Sequence, residues 1–307
     1  MATIKTIRRK IRYGVVYRFV QFLIFISNIV PRIPWLKFCG LMGRIGYTLA
    51  RNSRKRVIQH LTLAFGSEKS EADIRTLSRR VFTMLGMNTG EVLRASRVKT
   101  LPDLQKFLIT EGYENFEQAL AKGKGVIFVA CHLGAFDLQV TNIAIRGHNP
   151  GVVGTPLKDP RLNELLSNFR SMHGAIAIER GKETFRLIKL LKSGGVVALL
   201  IDQDTKVKSR FVEFFSRPAA TPVGAAILAM KTGAALVPTY NYLGADWKQH
   251  MQIFPELPVR ITGDEEADVI HNTQVATNFI EDAIRRHPEQ WVWMHERWKT
   301  RPGEEIK

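Results

Sequence analysis

The sequence lacks the short motifs that mark several common classes of enzyme. It contains only two cysteines, Cys39 and Cys131, among 307 residues. Two cysteines provide neither a disulfide framework nor the ligand spacing of a zinc site. The chain also has no G-x-S-x-G, no G-x-x-x-x-G-K-[ST], no G-x-G-x-x-G and no H-E-x-x-H sequence. These absences exclude the serine-hydrolase elbow, the usual phosphate-binding loops and the zinc-protease helix.

Acidic residues are missing from the N-terminal region. Residues 1–67 contain 13 Lys or Arg and no Asp or Glu, and the first acidic residue is Glu68. The chain has a formal net charge of +17, so removing the +13 of this region leaves only +4 for the other 240 residues. A concentrated basic segment favours a polyanionic partner, either nucleic acid or an anionic membrane.

The same region lacks an apolar run of the length that an ordinary membrane-spanning helix needs. Its cleanest run, Phe19 to Val30, has 12 residues, whereas a span takes about 20. Large aliphatic and aromatic residues nevertheless follow the basic cluster, which is typical of a membrane interface and not of a polar nucleic-acid arm. We therefore predict that residues 1–60 form a helical anchor in the plane of an anionic membrane and that no nucleic acid is bound. A tilted span and an ordinary core helix are the alternatives.

The remaining residues, 61–307, alternate between strand and helix patterns. Helix starts are marked by Ser70 with Asp73 three residues later, and by Asp159 before Pro160. This alternation predicts a single α/β domain with a mainly parallel sheet covered by helices. The predicted strands are residues 125–130, 151–155, 175–179, 196–202, 235–243 and 250–257, and the predicted helices are 70–98, 137–146, 159–174, 182–194, 221–233 with Thr221 as its cap, and 266–287.

Polar residues follow several of the predicted strands. The apolar run GVIFVA leads to His132, and Arg180 and the pair Asp202 and Gln203 follow later strands. Because ligand sites in open α/β sheets form beyond the carboxyl ends of the strands, we expect these side chains to share a site.

His132 and Asp137 are five positions apart in the segment HLGAFD. On a continuous helix they would diverge by about 140°, so they meet only if the chain turns, and Gly134 is a plausible turn. A carboxylate that orients a histidine and stabilises its imidazolium makes a general base. We therefore predict that His132 is the base and Asp137 its orienter. Cys131 is predicted to be a core residue, because adjacent strand residues point to opposite faces.

A metal site is an alternative use of the same residues. His132, Asp137, Asp202 and Asp204 could hold a divalent metal, as in a phosphoesterase, but a single histidine makes a weak ligand set. We therefore predict no metal and no cofactor. A non-enzymatic protein that binds anionic membranes is a further alternative.

At this point the sequence resembles a known family. HLGAFD resembles the H-x4-D/E signature of the glycerolipid and lysophospholipid acyltransferase superfamily. Longer blocks are similar to the bacterial lipid A late acyltransferase family and together span residues 52–302. These blocks are NSRKRVIQHLTLAFG (52–66), GVIFVACHLGAFDL (125–138), ERGKETFRLIKLLKSGGVVALLIDQD (179–204), FFSRPAATPVGAAILAMKTGAALVPTY (214–240) and PEQWVWMHERWKTRP (288–302).

The resemblance implies transfer of a fatty acyl chain from acyl carrier protein, or possibly coenzyme A, to a hydroxyl of a glycolipid. It implies a location at the cytoplasmic face of the bacterial inner membrane. Carried over, His132 is the base and Asp137 its orienter, and Arg180, Asp202 and Gln203 lie in the substrate site. Many lipid A enzymes have Glu where this chain has Asp137, so another glycolipid or a lysophospholipid is the alternative acceptor.

The implied reaction needs further groups around the base. Backbone N–H groups after Gly134 or Arg180 are candidates to stabilise the tetrahedral oxyanion, with Gly134 as the candidate residue. Arg170 would join Arg180 in binding a phosphate on the acceptor if their helix and strand ends converge. Helix 221–233 is expected to help wall an apolar slot for the acyl chain.

Overall fold

The computed structural model describes residues 4–180, 183–304 and 306, with the backbone alone for residues 4–10. Among the described residues, five α-helices precede the first strand, and the remaining helices lie between or after strands. The helices are α1 (Ile4–Ile29), α2 (Arg32–Leu49), α3 (Arg51–Phe65), α4 (Glu71–Arg94), α5 (Leu101–Gln105), α6 (Tyr113–Ala121), α7 (Asp137–Ile145), α8 (Pro160–Ser171), α9 (Thr184–Lys192), α10 (Gly224–Thr232) and α11 (Glu265–Arg286).

The strands form a seven-stranded sheet and a separate hairpin. They are β1 (Leu108–Glu111), β2 (Val126–Ala130), β3 (Gly151–Gly154), β4 (Ile176–Glu179), β5 (Val196–Leu200), β6 (Ser209–Glu213), β7 (Pro218–Pro222), β8 (Ala235–Leu243) and β9 (Gln249–Ile253). The sheet order is β1-β9-β8-β2-β5-β3-β4. Strands β8, β2, β5, β3 and β4 are parallel, whereas β9 is antiparallel to β8 and carries β1 parallel to itself. This topology confirms the predicted α/β class with a mainly parallel sheet.

The central strand β2 is apolar on both faces, which places it between two layers of helices. All five of its residues are buried. Ile127 and Val129 pack in one cluster with Leu228 of α10, and Phe128 packs in another with Leu138 of α7. Because successive strand residues point to opposite faces, a continuous apolar run is what a doubly covered parallel sheet requires. The strand is therefore a rigid support for the residues that follow it.

Helices α2 and α4 approach each other closely because glycines line their contact. A Cβ atom added to Gly43 would lie 2.0 Å from the carbonyl oxygen of Phe82, and one added to Gly86 would lie 2.2 Å from that of Cys39. Any side chain at either position would force the two helices apart. This packing ties the N-terminal helices to α4, and α4 in turn borders the candidate site described below.

Large apolar side chains on α1 and α2 remain exposed. Phe19, Phe22 and Phe25 of α1 are 57%, 56% and 60% exposed. Within the described ranges, no helix combines the length and the apolar character needed to cross a bilayer. The membrane anchor predicted for residues 1–60 stays a prediction, and its first three residues lie outside the described ranges. The predicted boundary at residue 60 falls inside α3.

Most predicted elements of the α/β region are present with ends shifted by a few residues. The Ser70 cap forms a capping box with Asp73, and Asp159 caps α8 with Pro160 in its first turn. The predicted helix 182–194 is observed as Thr184–Lys192, and residue 182 lies outside the described residues. The predicted caps at Ser70 and Asp159 are therefore confirmed.

Two strand regions do not follow the prediction. Strand β1 and the β6–β7 hairpin are not among the predicted strands. The prediction that Thr221 caps a helix is wrong, because Thr221 is buried within β7 and α10 begins at Gly224. Proline is unfavourable in a central strand because it cannot donate a ladder hydrogen bond. Pro218 and Pro222 are tolerated because they are the first and last residues of β7, which belongs to a two-stranded hairpin.

Candidate active site

The candidate site lies at the carboxyl ends of β2 and β5. These two strands are parallel neighbours with Ala130 opposite Leu200. His132 follows β2 and Asp202 follows β5, so the sheet brings together two residues that are 70 positions apart in the sequence. As expected, the residues that follow these two strands lie close together.

Asp202 holds His132 through two hydrogen bonds. The imidazole Nδ1 of His132 lies 2.8 Å from Oδ1 of Asp202, and the backbone N–H of His132 donates to Oδ2 at 2.8 Å. The indole Nε1–H of Trp291 donates to the same Oδ2 at 2.7 Å. The carboxylate thus fixes both the ring and the backbone of His132.

The electrostatic environment keeps Asp202 ionised. Its burial would by itself raise the pKa, but the charge of His132 and the hydrogen bonds from His132 and Trp291 outweigh burial, so the pKa lies below its usual value. An ionised carboxylate only accepts hydrogen bonds, so Nδ1 of His132 must carry a proton. Nε2, which has no protein partner among the described residues, is then the nitrogen that can accept a proton.

Asp137 does not contact His132 as predicted. Its Oδ1 accepts hydrogen bonds from Nε and Nη2 of Arg170 at 3.0 and 2.8 Å. In the described ranges no hydrogen bond or ion pair joins Asp137 to His132. The predicted contact between Asp137 and His132 is therefore wrong. Asp137 is the first residue of α7, and its carboxylate binds Arg170 of α8 instead.

Gly134 allows the loop after His132 to turn tightly against β8. It has a φ of +63°, and a Cβ atom there would lie 2.2 Å from the carbonyl oxygen of Asn241. Its N–H donates to the carbonyl of Gln290 at 3.0 Å, and the N–H of Arg180 donates to Gly154 at 2.9 Å. The N–H of Gly134 is thus already engaged, which corrects the assignment to that residue, whereas the N–H groups after Gly134 stay candidates.

The backbone N–H groups of Ala135 and Phe136 differ from that of Gly134 in their hydrogen bonding. Neither donates to a protein acceptor in the described part of the chain. They lie immediately before α7, and the Phe136 ring packs edge-on against His132 with centroids 4.8 Å apart. The amino end of a helix carries partial positive charge. These two groups are the better candidates to stabilise developing negative charge beside His132.

The remaining predicted substrate residues follow β5 and β4, which lie on the same side of β2 in the sheet. Gln203 is adjacent to Asp202 and partly exposed. Arg180 follows β4, is half-buried, and has a pKa lowered by that burial. Nη1 of Arg170 lies 3.4 Å from the position of a Cβ atom on Gly154, whose carbonyl receives the Arg180 N–H. The helix and strand ends that carry the two arginines therefore converge, as the sequence analysis required.

The C-terminal segment supplies residues that sequence reasoning did not assign to the site. Leu133 and Trp291 form an antiparallel bridge, which places the Trp291 indole on Asp202. His295 Nε2 lies 2.9 Å from the carbonyl oxygen of Asp204, and Thr300 donates to the carboxylate of Asp204 through its N–H and Oγ1, both at 2.9 Å. The only sequence signal for these residues was the aromatic block at 288–302.

Cys131 is a core residue, as predicted. It is fully buried, and burial together with the nearby charge of Asp202 raises the pKa of its thiol well above the usual value. A thiolate is the nucleophilic form, so this thiol is unreactive at neutral pH.

The four residues considered for a metal do not converge. Asp202 is bound to His132, Asp137 to Arg170 and Asp204 to Thr300. In the described ranges no group of three or more His, Cys, Asp or Glu side chains is arranged to hold a metal ion. The arrangement instead resembles a histidine base with a buried carboxylate behind it.

A mainly apolar cavity is lined by Phe136, whose ring packs against His132. It has a volume of about 190 Å3 and is lined on one side by Gly134, Asp137 and Trp291. Residues Leu85 and Val92 of α4 belong to the opposite wall. Helix 221–233 was expected to wall such a slot, but α10 contributes no residue to this cavity. The wall is formed by α4 because α10 lies under the sheet, where Leu228 packs against the core.

Comparison with known proteins identifies the family. The bacterial lipid A biosynthesis acyltransferase family matches residues 1–300. The chain belongs to this family. The protein is therefore an acyltransferase, and the His132–Asp202 centre lies within the matched region.

Individual relatives agree with this assignment. The chain is 29% identical to the lipid A biosynthesis lauroyltransferase of Escherichia coli K12 over 271 residues, covering 86% of this chain and 84% of that protein. It is 28% identical to the lipid A biosynthesis palmitoleoyltransferase of the same strain over 288 residues, covering 88% of each. It is also similar to a phosphatidylinositol mannoside acyltransferase of Mycobacterium tuberculosis, at 27% identity over 225 residues, covering 72% of this chain and 66% of that protein.

Proposed function

We propose that this acyltransferase moves a fatty acyl chain from a thioester to a hydroxyl of a glycolipid, with His132 as the general base. The observation that carries the proposal is the Nδ1–Asp202 contact of 2.8 Å beside an apolar cavity. The names of the relatives, lipid A biosynthesis acyltransferases and a phosphatidylinositol mannoside acyltransferase, support a glycolipid acceptor. A lysophospholipid acceptor is the alternative.

The reaction proceeds by direct transfer. His132 Nε2 takes the proton of the acceptor hydroxyl as its oxygen attacks the thioester carbonyl. The tetrahedral intermediate collapses with cleavage of the carbon–sulfur bond, and the leaving thiolate takes the proton from the imidazolium. The Asp202 carboxylate stabilises the imidazolium between these two steps. No acyl-enzyme forms, since no protein nucleophile is required.

The oxyanion of the intermediate is assigned to the N–H groups of Ala135 and Phe136. Both lack protein acceptors among the described residues and precede the positive end of α7. Donors already oriented towards developing charge stabilise it without reorganisation at the moment of reaction. Their position next to His132 is what supports this role.

A phosphate or other anionic group on the acceptor fits the arginine side of the site. Arg170 is held by Asp137 and Arg180 lies on the neighbouring strand end. No hydrogen bond or ion pair of the Arg180 side chain occurs in the described ranges. A guanidinium binds phosphate in a bidentate manner. Gln203, which follows Asp202 at the end of β5, would contribute a neutral donor.

The donor is proposed to be acyl carrier protein in preference to coenzyme A. Complementary charge accelerates association between proteins, and the net charge of +17 would attract an acidic carrier. We propose that the enzyme works at the cytoplasmic face of the bacterial inner membrane, where such donors would be available. The exposed apolar residues of α1 support attachment to that membrane.

The function is tested by incubating the purified full chain with a lipid A precursor and either acyl carrier protein or coenzyme A thioesters. Mass spectrometry should detect an acceptor heavier by one acyl group, with faster transfer from the carrier protein. Transfer only to a lysophospholipid would replace the proposed acceptor. Release of phosphate that EDTA abolishes and added metal restores would establish the phosphoesterase alternative instead.

Membrane attachment is tested by replacing Phe19 and Phe22 with serine. Each ring removed from the bilayer should weaken binding by about 1.5–3 kcal/mol, so sedimentation with anionic vesicles should fall strongly while thermal stability is retained. The matched control is Phe185→Ser on α9, a ring that is 81% exposed and far from α1 in the sequence. Equal loss of sedimentation in the control, or none in the α1 variant, would rule out this surface.

A further inference from the structure

Four buried amide side chains are hydrogen-bonded to one another behind the loop that carries His132. They are Asn88 of α4, Asn241 of β8, Gln249 of β9 and Gln290, which follows α11, and each is at most 6% exposed. Asn88 and Gln290 also belong to the lining of the cavity beside Phe136. Amides are seldom buried as a group, because every polar atom then needs a partner. We refer to these four side chains as the amide network.

The backbone of Leu243 fixes the direction of the amide network. Its N–H donates to Oε1 of Gln290 at 2.8 Å, and its carbonyl oxygen accepts from Nε2 of Gln290 at 2.9 Å. Nδ2 of Asn88 donates to the same Oε1 at 3.4 Å, so Oδ1 of Asn88 faces the other way. That Oδ1 accepts from Nε2 of Gln249 at 3.2 Å. Because an amide has its donor and its acceptor on different arms, none of these side chains can flip without losing its bonds.

The last member of the network, Asn241, contacts the proposed oxyanion turn. Its Nδ2 donates to Oε1 of Gln249 at 3.2 Å and to the carbonyl oxygen of Ala135 at 3.4 Å. The N–H of Leu138 donates to the same carbonyl oxygen at 2.9 Å. In a trans peptide the C=O and N–H groups point in opposite directions. The N–H of Phe136, which shares this peptide, therefore points away from Asn241.

We propose that Asn241 is a positioning residue that orients the peptide between Ala135 and Phe136. In that orientation the N–H of Phe136 meets the oxyanion of the tetrahedral intermediate. This inference rests on the proposed acyl transfer. Hydrogen bonds in series polarise one another, so the bond that Asn241 donates to the carbonyl strengthens the N–H on the other side of the peptide. An N–H held in one orientation also stabilises the developing charge without reorganisation.

Stability alone does not account for an asparagine at position 241. Its Oδ1 is buried and has no hydrogen-bond partner among the described residues. A buried polar atom without a partner destabilises a fold, and a strand position such as this one suits a β-branched apolar residue better. A residue that breaks a local rule of packing while it contacts a reactive loop is typical of a functional site. The unsatisfied oxygen therefore supports a role in the reaction.

The test replaces Asn241 with alanine in the full chain and measures transfer from a carrier-protein thioester. We expect kcat to fall about ten- to a hundredfold, less than for loss of an oxyanion donor itself, and KM to change by less than about twofold. The matched control is Asn272→Ala. Asn272 is a buried asparagine of α11 that bonds to the N–H and the carbonyl oxygen of Arg260, at 2.8 and 2.9 Å. The control should lose at least as much thermal stability and keep the wild-type kcat.

Two further measurements separate positioning from an effect on folding. Gln249→Met removes the side-chain acceptor of Asn241 without altering a residue of the His132 loop. It should lower kcat about three- to tenfold, the effect of one neutral hydrogen bond. A dithioester donor, in which sulfur replaces the carbonyl oxygen, accepts weaker hydrogen bonds at that atom. The wild-type preference for the thioester should therefore shrink in Asn241→Ala and stay unchanged in Asn272→Ala.

Three results would overturn the positioning role. One is a wild-type kcat in a folded Asn241→Ala protein, or in Gln249→Met if Asn241→Ala does not fold. A second is an equal loss of kcat in Asn241→Ala and Asn272→Ala. A third is a loss of kcat in Asn241→Ala with an unchanged preference for the thioester. A wild-type chain that transfers from no thioester would overturn the proposed function and this inference with it, whereas an active wild type with any of the three results would overturn the role of Asn241 alone.

Discussion

Replacing His132 with alanine is expected to abolish measurable acyl transfer, a loss of at least about a thousandfold. Nε2 of the imidazole is the atom that can take the proton of the acceptor hydroxyl, because Nδ1 is committed to Asp202. The side chain is mostly buried but its removal leaves the β2 core intact. Turnover is measured by mass spectrometry of the acylated acceptor, and folding by thermal unfolding.

The matched control for this variant is His271→Ala. His271 is exposed on α11, in an element that does not line the cavity beside His132. The control should retain normal turnover. A His132→Ala protein that unfolds at the wild-type temperature and still transfers acyl groups at the normal rate would refute the mechanism.

Asp202→Asn is expected to lower turnover by roughly a thousand- to ten-thousandfold, as loss of the buried carboxylate does in other histidine-based sites. Asp202 accepts N–H donors from His132 and from Trp291. An amide presents its own N–H groups to these donors and cannot stabilise the imidazolium. The ring would lose both its tautomer and its electrostatic support, so kcat should fall more than KM rises.

The comparison with Asp137→Asn separates the two carboxylates. Residues that act as one unit are not additive, so His132→Ala combined with Asp202→Asn should be no slower than His132→Ala alone. Asp137 is bound to Arg170. The losses of turnover in Asp137→Asn and Arg170→Gln should therefore be non-additive with each other. Trp291→Phe is a milder change at Asp202, since it removes the indole N–H donor and keeps an aromatic ring at this position. Wild-type turnover in Asp202→Asn, with a large loss in Asp137→Asn, would return the orienting role to Asp137.

Local patterns in the sequence were sufficient for much of the fold. The run leading to His132 is apolar throughout, and such a run has few alternatives to a buried strand. Ser70 and Asp159 cap helices through bonds to residues two or three positions away, so their effect is visible in the sequence itself. The β6–β7 hairpin was missed because its prolines oppose the usual strand signal, and its pairing depends on residues outside each strand.

The sequence by itself determined the α/β class, the strand-end position of His132, the core position of Cys131 and the resemblance to a family of acyltransferases. All of these depend on neighbours along the chain. Only the tertiary structure decided that Asp202 and not Asp137 contacts His132, because β2 and β5 become neighbours through a sheet order that spacing along the chain does not specify. The same holds for Trp291, which reaches Asp202 from a segment 89 residues away.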